Sequence, residues 1–510
     1  MSNFFKKNKF LWVIIVIAAL VRLYNMAAIS LWHDEAFSAL LIKYPWSEMF
    51  YRIGLDVHPP LYYIALRLWY YVFGWSLLSL RGFSVFFGIA TVYAVYLFVK
   101  ETFERENLAL GAALLTALSP FQIQYVTEAR MYTFGTFLLV MSAYFLVKAF
   151  KSNSWKFWIL FAAFTSAALY THYYEFFSEF ALGLFGLIYI YRKYRLDLKA
   201  YGRFFAAYLL VFLSYVPWLK TFWFQFHQVQ NNYWIPAPNH WSVPVTNWLM
   251  LTGGSADAAK TRTDILLVLA CLFTLYMIYR VAKQEVSQYK WLVLFGLVVP
   301  FLGSLALSYK QSIYLDRYFL FADLFYNIAI LIFLFSLKTR LLRYVLLFIL
   351  LAVNFANYTN FWKQNDVATH PGMGAAAAFL NNNVGKEDQL YVASSFEFFN
   401  FKYYNQTGVA PLLYTPGIQH VSDLPHYSGT AILTDQDLIH SWSARTSPGD
   451  LVWVLWTTGF GGQRPNDIPQ NWALVQEKSW DEIRPYLGTQ IFVDEYLVDK
   501  PFTNPFTAAK

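Results

Sequence analysis

Residues 59–74 read Pro-Pro-Leu-Tyr-Tyr-Ile-Ala-Leu-Arg-Leu-Trp-Tyr-Tyr-Val-Phe-Gly, and the fold turns on whether this stretch crosses a lipid bilayer or lies along it. A bilayer's hydrocarbon core is ~30 Å thick and a helix rises ~1.5 Å per residue, so a crossing needs roughly 20 apolar residues. This stretch falls short of that, is interrupted by Arg67, and is rich in Tyr and Trp, which gather at the membrane–water boundary. It reads as a helix lying in the interface.

Working outward, eleven longer apolar stretches qualify as spans, centred on 10–28, 78–98, 108–125, 131–147, 157–172, 176–191, 204–220, 264–281, 291–308, 318–336 and 344–361. Lys6, Lys7 and Lys9 before the first could open a signal peptide, but the apolar run is too long and no small-residue cleavage pattern follows. It reads as a retained first span. With 59–74 on the surface, loops on the N-terminal side hold nineteen of the thirty Lys and Arg in residues 1–362. Basic residues concentrate in cytoplasmic loops, so the N-terminus is expected inside and, after an odd number of spans, residues 363–510 outside.

Composition excludes several classes. Hydrophobic residues make up 57% and charged residues 14% of the 510, against about 45–50% and about 25% in soluble domains. A wholly soluble enzyme, a disordered scaffold and a nucleic-acid binder do not fit. The net charge of +8 resides in the membrane part, since residues 363–510 carry nine bases and fifteen acids. The single cysteine, Cys271, rules out an intrachain disulfide and a Cys-based zinc cluster.

Two domains are expected: an α-helical polytopic membrane domain over 1–362 and an extracytoplasmic α/β domain over 363–510. In the second, short β-rich runs (389–394, 411–414, 430–434, 451–456, 472–477, 489–493) alternate with helical stretches at 375–381 and 397–404. It shows no Gly-rich phosphate loop, nucleophile elbow or metal motif. Packing on the membrane part and recognising an acceptor are both open roles for it.

Four polar groups fall on the outer face: Trp32-His33-Asp34-Glu35 after the first span, Asp56-Val57-His58-Pro59-Pro60-Leu61 before the interfacial helix, Thr127-Glu128-Ala129-Arg130-Met131-Tyr132 between spans three and four, and Asp316-Arg317-Tyr318 before span ten. Taken singly, each has a plain structural explanation: an interfacial cap, a proline-started helix, a neutralised ion pair, an aromatic and basic belt. Their common side does not follow from those explanations, and charges at such depth are costly and usually functional.

These residues resemble the polyprenyl-phosphate-sugar-dependent glycosyltransferases of the GT-C fold (family 39-like), the group of protein O-mannosyltransferases and lipid A aminoarabinose transferases. The resemblance covers the membrane part. Mannosyltransferases typically continue His-Pro-Pro-Leu with Gly-Lys, where this chain has Tyr62-Tyr63; aminoarabinose transferases tend to have an acid and a lysine before the prolines, where it has Val57 and His58.

The resemblance implies a hexosyl- or pentosyltransferase using a polyprenyl-phosphate-linked sugar donor, a hydroxyl acceptor on protein, lipid or polysaccharide, and a site at the outer membrane surface. Such a transfer needs a base for the acceptor's proton, and Asp34 is the candidate, with Glu35 orienting or assisting. Phosphate leaves as a stabilised anion, so guanidinium groups suit the leaving side better than a second acid. Arg130 and Arg317 lead, followed by Arg81 and His58, with Tyr132 and Tyr318 as hydrogen-bond donors. One displacement predicts inversion at the anomeric carbon.

Asp56, Glu128, Tyr233, Trp234 and Trp241 are further substrate-binding candidates, the last three as a lid in an aromatic outer loop. A divalent metal ion is chemically compatible with His58, His172 and His240, although no segment has a spacing that fixes a ligand set. The main rival is a polytopic transporter of a lipid or glycan precursor; transporters often show repeated halves, and no repeat is visible here.

Overall fold

The computed structural model describes residues 8–195, 197–231, 234–255, 261–483 and 485–498. The chain divides into two compact units: residues 1–26 with 57–361, and residues 27–56 with 362–510. The C-terminal unit thus starts where the composition shifts and also takes in residues 27–56.

Among the described residues, seven helices are long and apolar enough to cross a membrane: Leu77–Phe103, Tyr132–Ser152, Tyr201–Gln230, Thr263–Lys283, Lys290–Ser308, Asp316–Ser336 and Arg340–Gln364. Glu106–Leu118 and Pro120–Val126, bent by 54° at their junction, make an eighth if they are one span. The stretches 10–28 and 157–172 form shorter helices, Lys9–Leu23 and Trp155–Leu169. The stretch 176–191 lies in Glu175–Tyr194, whose two buried glutamates and terminal Arg192 and Lys193 keep it from being a plain apolar span. Residues 59–74 fold as Leu61–Phe73, a 13-residue helix that buries Tyr62, Tyr63, Leu66 and Arg67 and exposes Leu68, Tyr71, Val72 and Phe73. At ~1.5 Å per residue it is too short to cross a bilayer.

The bend has a local cause. Ser119 caps the second helix by accepting the Gln122 N–H at 3.3 Å, and Pro120, which has no N–H to lose, opens it. Gln122 then donates to the Asp323 carboxylate at 2.8 Å, and Asn327 donates to the same oxygen at 3.1 Å. This buried network ties the bend to the helix Leu320–Ser336 and fixes where the run 127–132 begins. Arg22, 1% exposed, donates to the carbonyls of Thr116 and Ala117 at 2.9 and 2.7 Å, at the negative end of helix Glu106–Leu118. Helices also meet through small residues: a Cβ on Gly296 would lie 2.5 Å from the ring of Phe325.

The C-terminal unit holds a six-stranded sheet of order β3-β2-β1-β4-β6-β5, with β1 Gln389–Val392, β2 Leu412–Tyr414, β3 Leu438–Ile439, β4 Leu451–Thr457, β5 Ala473–Asp481 and β6 Gln490–Leu497. The first four are parallel; β4–β6 and β6–β5 pair antiparallel. β4 is buried almost throughout, as a central strand covered on both sides should be, and β5 is an exposed edge. Trp456 stacks on Phe492 at 4.0 Å in the core. The strand expected at 430–434 is a turn; Gly429 takes φ +81° and Thr434 caps the 3-10 turn Asp435–Asp437, so pairing begins only at Leu438.

Candidate active site

In the membrane unit, three separate segments meet at His172. The helix Trp155–Leu169 ends just before it, and Glu175–Tyr194 begins just after. The Tyr174 N–H donates to His172 Nδ1 at 3.0 Å, which leaves Nε2 to carry the ring proton. The ring is buried, and with Nδ1 accepting from a backbone N–H it is a neutral donor through Nε2. Around it stand Tyr318 at 5.0 Å, Tyr132 at 5.9 Å and His58 at 6.1 Å between ring centroids.

His58 is held from both sides of its sequence. The Leu61 N–H donates to the Tyr170 carbonyl at 2.9 Å, anchoring the two prolines, and Gln225 Nε2 lies 3.4 Å from the His58 carbonyl oxygen. Arg130, 2% exposed, approaches His58 Nε2 at 3.4 Å. Its segment is pinned by Ser84, whose hydroxyl donates to the Glu128 carbonyl at 2.6 Å. The Arg317 guanidinium lies over Trp234 at 5.5 Å and over Tyr318 at 6.0 Å. Asp316 beside it accepts from the Thr246 hydroxyl. Thus Arg130, Arg317, His58, Tyr132 and Tyr318, chosen from three distant sequence segments, form one basic and aromatic cluster around His172. Arg81 is buried and donates to the Met26 carbonyl at 2.9 Å.

Asp34 and Glu35 belong to the other unit. They lie in the first turn of helix His33–Leu41, where the helix dipole favours negative charge. Glu35 is 1% exposed, while Asp34 is partly open to its surroundings. The segment is seated on helix Ser395–Tyr404: the Leu31 N–H donates to the Tyr404 hydroxyl at 2.9 Å, and the His33 ring meets Phe396 at 4.9 Å and Phe399 at 5.4 Å. Arg52 fixes the far end, pairing with Glu48 at 2.7 Å and donating to the Ala431 carbonyl at 3.0 Å. Asp56 closes the helix Trp46–Leu55.

Residues 57–219 match the family model of dolichyl-phosphate-mannose-protein mannosyltransferases. No curated protein matches the chain in sequence. Among solved structures, ArnT from Cupriavidus metallidurans bound to undecaprenyl phosphate aligns at TM-score 0.59 and 11% identity, over 95% of this chain and 97% of its own. The apo state of the same protein aligns at TM-score 0.60 and 10% identity, over 97% and 98%.

The chain has the GT-C fold. Within this fold the cluster around His172 draws Arg130, His58, Tyr132 and His172 from the family-matched stretch, and Arg317 and Tyr318 from beyond it.

Sequence reading missed Gln225, 1% exposed, which reaches both the His58 carbonyl and the Tyr173 hydroxyl. Its one signal was a polar residue in a helix dense with aromatics. Tyr233 lies outside the described residues. Trp241 and His240 sit side by side at 5.2 Å, with His240 exposed. Among the described residues no three His, Cys, Asp or Glu side chains are grouped to hold a metal ion. His172 has Nδ1 occupied by a backbone N–H and is ringed by aromatics rather than carboxylates. These residues do not fit a metal centre.

Proposed function

We propose that this chain is a membrane glycosyltransferase that moves a sugar from a polyprenyl-phosphate donor to a hydroxyl acceptor at the outer membrane face. The observation that carries the reading is the cluster of Arg130, His58, His172, Tyr318 and Arg317. Two guanidinium groups and a neutral imidazole donor, with tyrosine hydroxyls beside them, are what a departing phosphate monoanion or dianion requires. The fold shared with a protein bound to undecaprenyl phosphate supports a lipid phosphate as the donor's carrier.

In the reaction, the acceptor oxygen attacks the anomeric carbon and passes its proton to Asp34. The anomeric carbon–oxygen bond to phosphate breaks, and the electron pair leaves with the polyprenyl phosphate, whose charge Arg130 and Arg317 offset. A single displacement inverts the anomeric configuration. Glu35, buried beside the base, orients the segment rather than taking the proton.

The test is transfer of radiolabelled sugar from synthetic polyprenyl-phosphate donors by the purified protein, with the product anomer read by NMR. Movement of intact labelled donor across vesicles, with no new glycosidic bond, would favour the transporter instead; a retained anomer would end the single-step scheme.

A further inference from the structure

The two guanidinium groups of the cluster, Arg130 and Arg317, come from segments far apart in the chain, yet a single side chain joins their supports. Gln122 is buried in the short helix Pro120–Val126, and its Nε2 donates both to the Leu320 carbonyl at 3.1 Å and to the Asp323 carboxylate at 2.8 Å. Leu320 is also where the turn bearing Arg317 closes: its N–H donates to the Arg317 carbonyl at the end of the 3-10 turn Asp316–Phe319. The same residue therefore holds Arg317 through its N–H and Gln122 through its carbonyl.

On the other side, the path from Gln122 to Arg130 is short and hydrogen-bonded. The helix ends at Thr127, whose N–H and hydroxyl both donate to the Gln124 carbonyl, at 3.3 and 2.7 Å. The Arg130 N–H donates to the Glu128 carbonyl at 2.9 Å, and the ring of Tyr125 meets that of Tyr132 at 5.3 Å. Asp323 is fixed in turn, because the oxygen that accepts from Gln122 also accepts from Asn327 at 3.1 Å and from the Ser119 hydroxyl at 3.5 Å.

A buried acid with two buried amides is a costly way to join helices in a membrane, and apolar side chains of similar size pack there without it. What the hydrogen bonds add is a fixed geometry, since their lengths and angles tolerate little error. Like charges repel, so two guanidinium groups with no phosphate between them favour a wider spacing, which a bridge between their supports opposes.

We propose that Gln122 is a positioning residue for the donor phosphate: by bridging Leu320 and Asp323 it sets the spacing of Arg130 and Arg317, so that both engage one phosphate group. This rests on the glycosyltransferase reading and adds how its phosphate site is held in register.

The test measures binding rather than turnover. Full-length protein in detergent is titrated with undecaprenyl phosphate and, as a control for the lipid chain, with undecaprenol. Gln122→Met keeps the length of the side chain and removes the donor; it should raise the Kd for undecaprenyl phosphate about tenfold and leave undecaprenol binding unchanged. Asn327→Leu leaves Gln122 in place and removes the second amide donor to Asp323, so a rise of about threefold is expected, and this variant decides the matter if Gln122→Met does not fold. In an Arg317→Ala background, Gln122→Met should cost no further affinity, because the group it positions is gone. An unchanged Kd in both single variants, an equal loss with undecaprenol, or fully additive losses with Arg317→Ala overturns the positioning role and leaves the parent reading intact. Wild-type protein that binds undecaprenyl phosphate no better than undecaprenol overturns both.

Discussion

Asp34 and Glu35 are adjacent in sequence yet differ in surroundings: Glu35 is 1% exposed, and Asp34 retains an open side. A proton acceptor must reach its substrate, so in the proposed reaction the open carboxylate is assigned as the base and the closed one as its support. Asp34→Asn keeps the shape and removes the basicity; transfer should fall by about 10²- to 10⁴-fold while donor affinity holds. Turnover near the wild-type rate would take Asp34 out of the mechanism. Arg130 invites a different substitution. Its fork can meet two phosphate oxygens, and lysine keeps the charge while losing that geometry. Arg130→Lys should lower kcat/KM for the donor by about 10- to 100-fold, the worth of a charge-assisted hydrogen bond. An unchanged kcat/KM would mean that Arg130 offers only bulk charge.

At the scale of elements, what sequence could and could not disclose follows from the range of the forces involved. The helix Leu61–Phe73 was legible because length, Arg67 and the tyrosines are local properties. The four polar segments were legible by residue type, since an arginine or an acidic pair beside a span is conspicuous. The hub at His172 was not: its role comes from the Tyr174 N–H and from rings contributed by Tyr132 and Tyr318, far away in the chain. The turn at 430–434 was misread as a strand because β-branched residues mark strands only when the backbone is free to extend, and Gly429 and the capped turn at Thr434 prevent that here. The seating of residues 27–56 on helix Ser395–Tyr404 was equally hidden, since no periodicity announces a hydrogen bond between Leu31 and Tyr404. That bond supports a prediction of its own. Tyr404→Phe leaves the packing and removes the acceptor for the Leu31 N–H, so kcat should fall about fivefold with the donor KM unchanged, as loss of ~1 kcal/mol in positioning requires. A lower melting temperature with kcat preserved would make Tyr404 structural only.

For the molecule as a whole, the unit that carries the candidate base also has a built-in pH dependence. Burial pushes the Glu482 carboxyl up to about 8, and burial together with Glu482 raises Glu397 well above its ordinary range. The two lie in the same unit as helix His33–Leu41, and Glu397 sits in the first turn of the helix on which that segment rests. With a folded pKa above the unfolded value of 4.5, the native unit binds more protons than the unfolded chain between about 4.5 and about 8. Its stability is therefore fully present below that window and declines as pH rises through it. Thermal unfolding of the full-length protein in detergent, followed by the fluorescence of the buried Trp453 and Trp456, should show a melting temperature that falls from pH 5 to pH 8. Glu482→Gln, which needs no proton to stay neutral, should flatten that slope and raise the melting temperature at pH 8 by several degrees, about 4 °C for each kcal/mol recovered. Because the same unit seats Asp34, transfer activity on the alkaline side should recover in parallel. A melting temperature that climbs with pH over this window, or one that Glu482→Gln leaves sloping as before, would show that the buried pair is not protonated in the folded state.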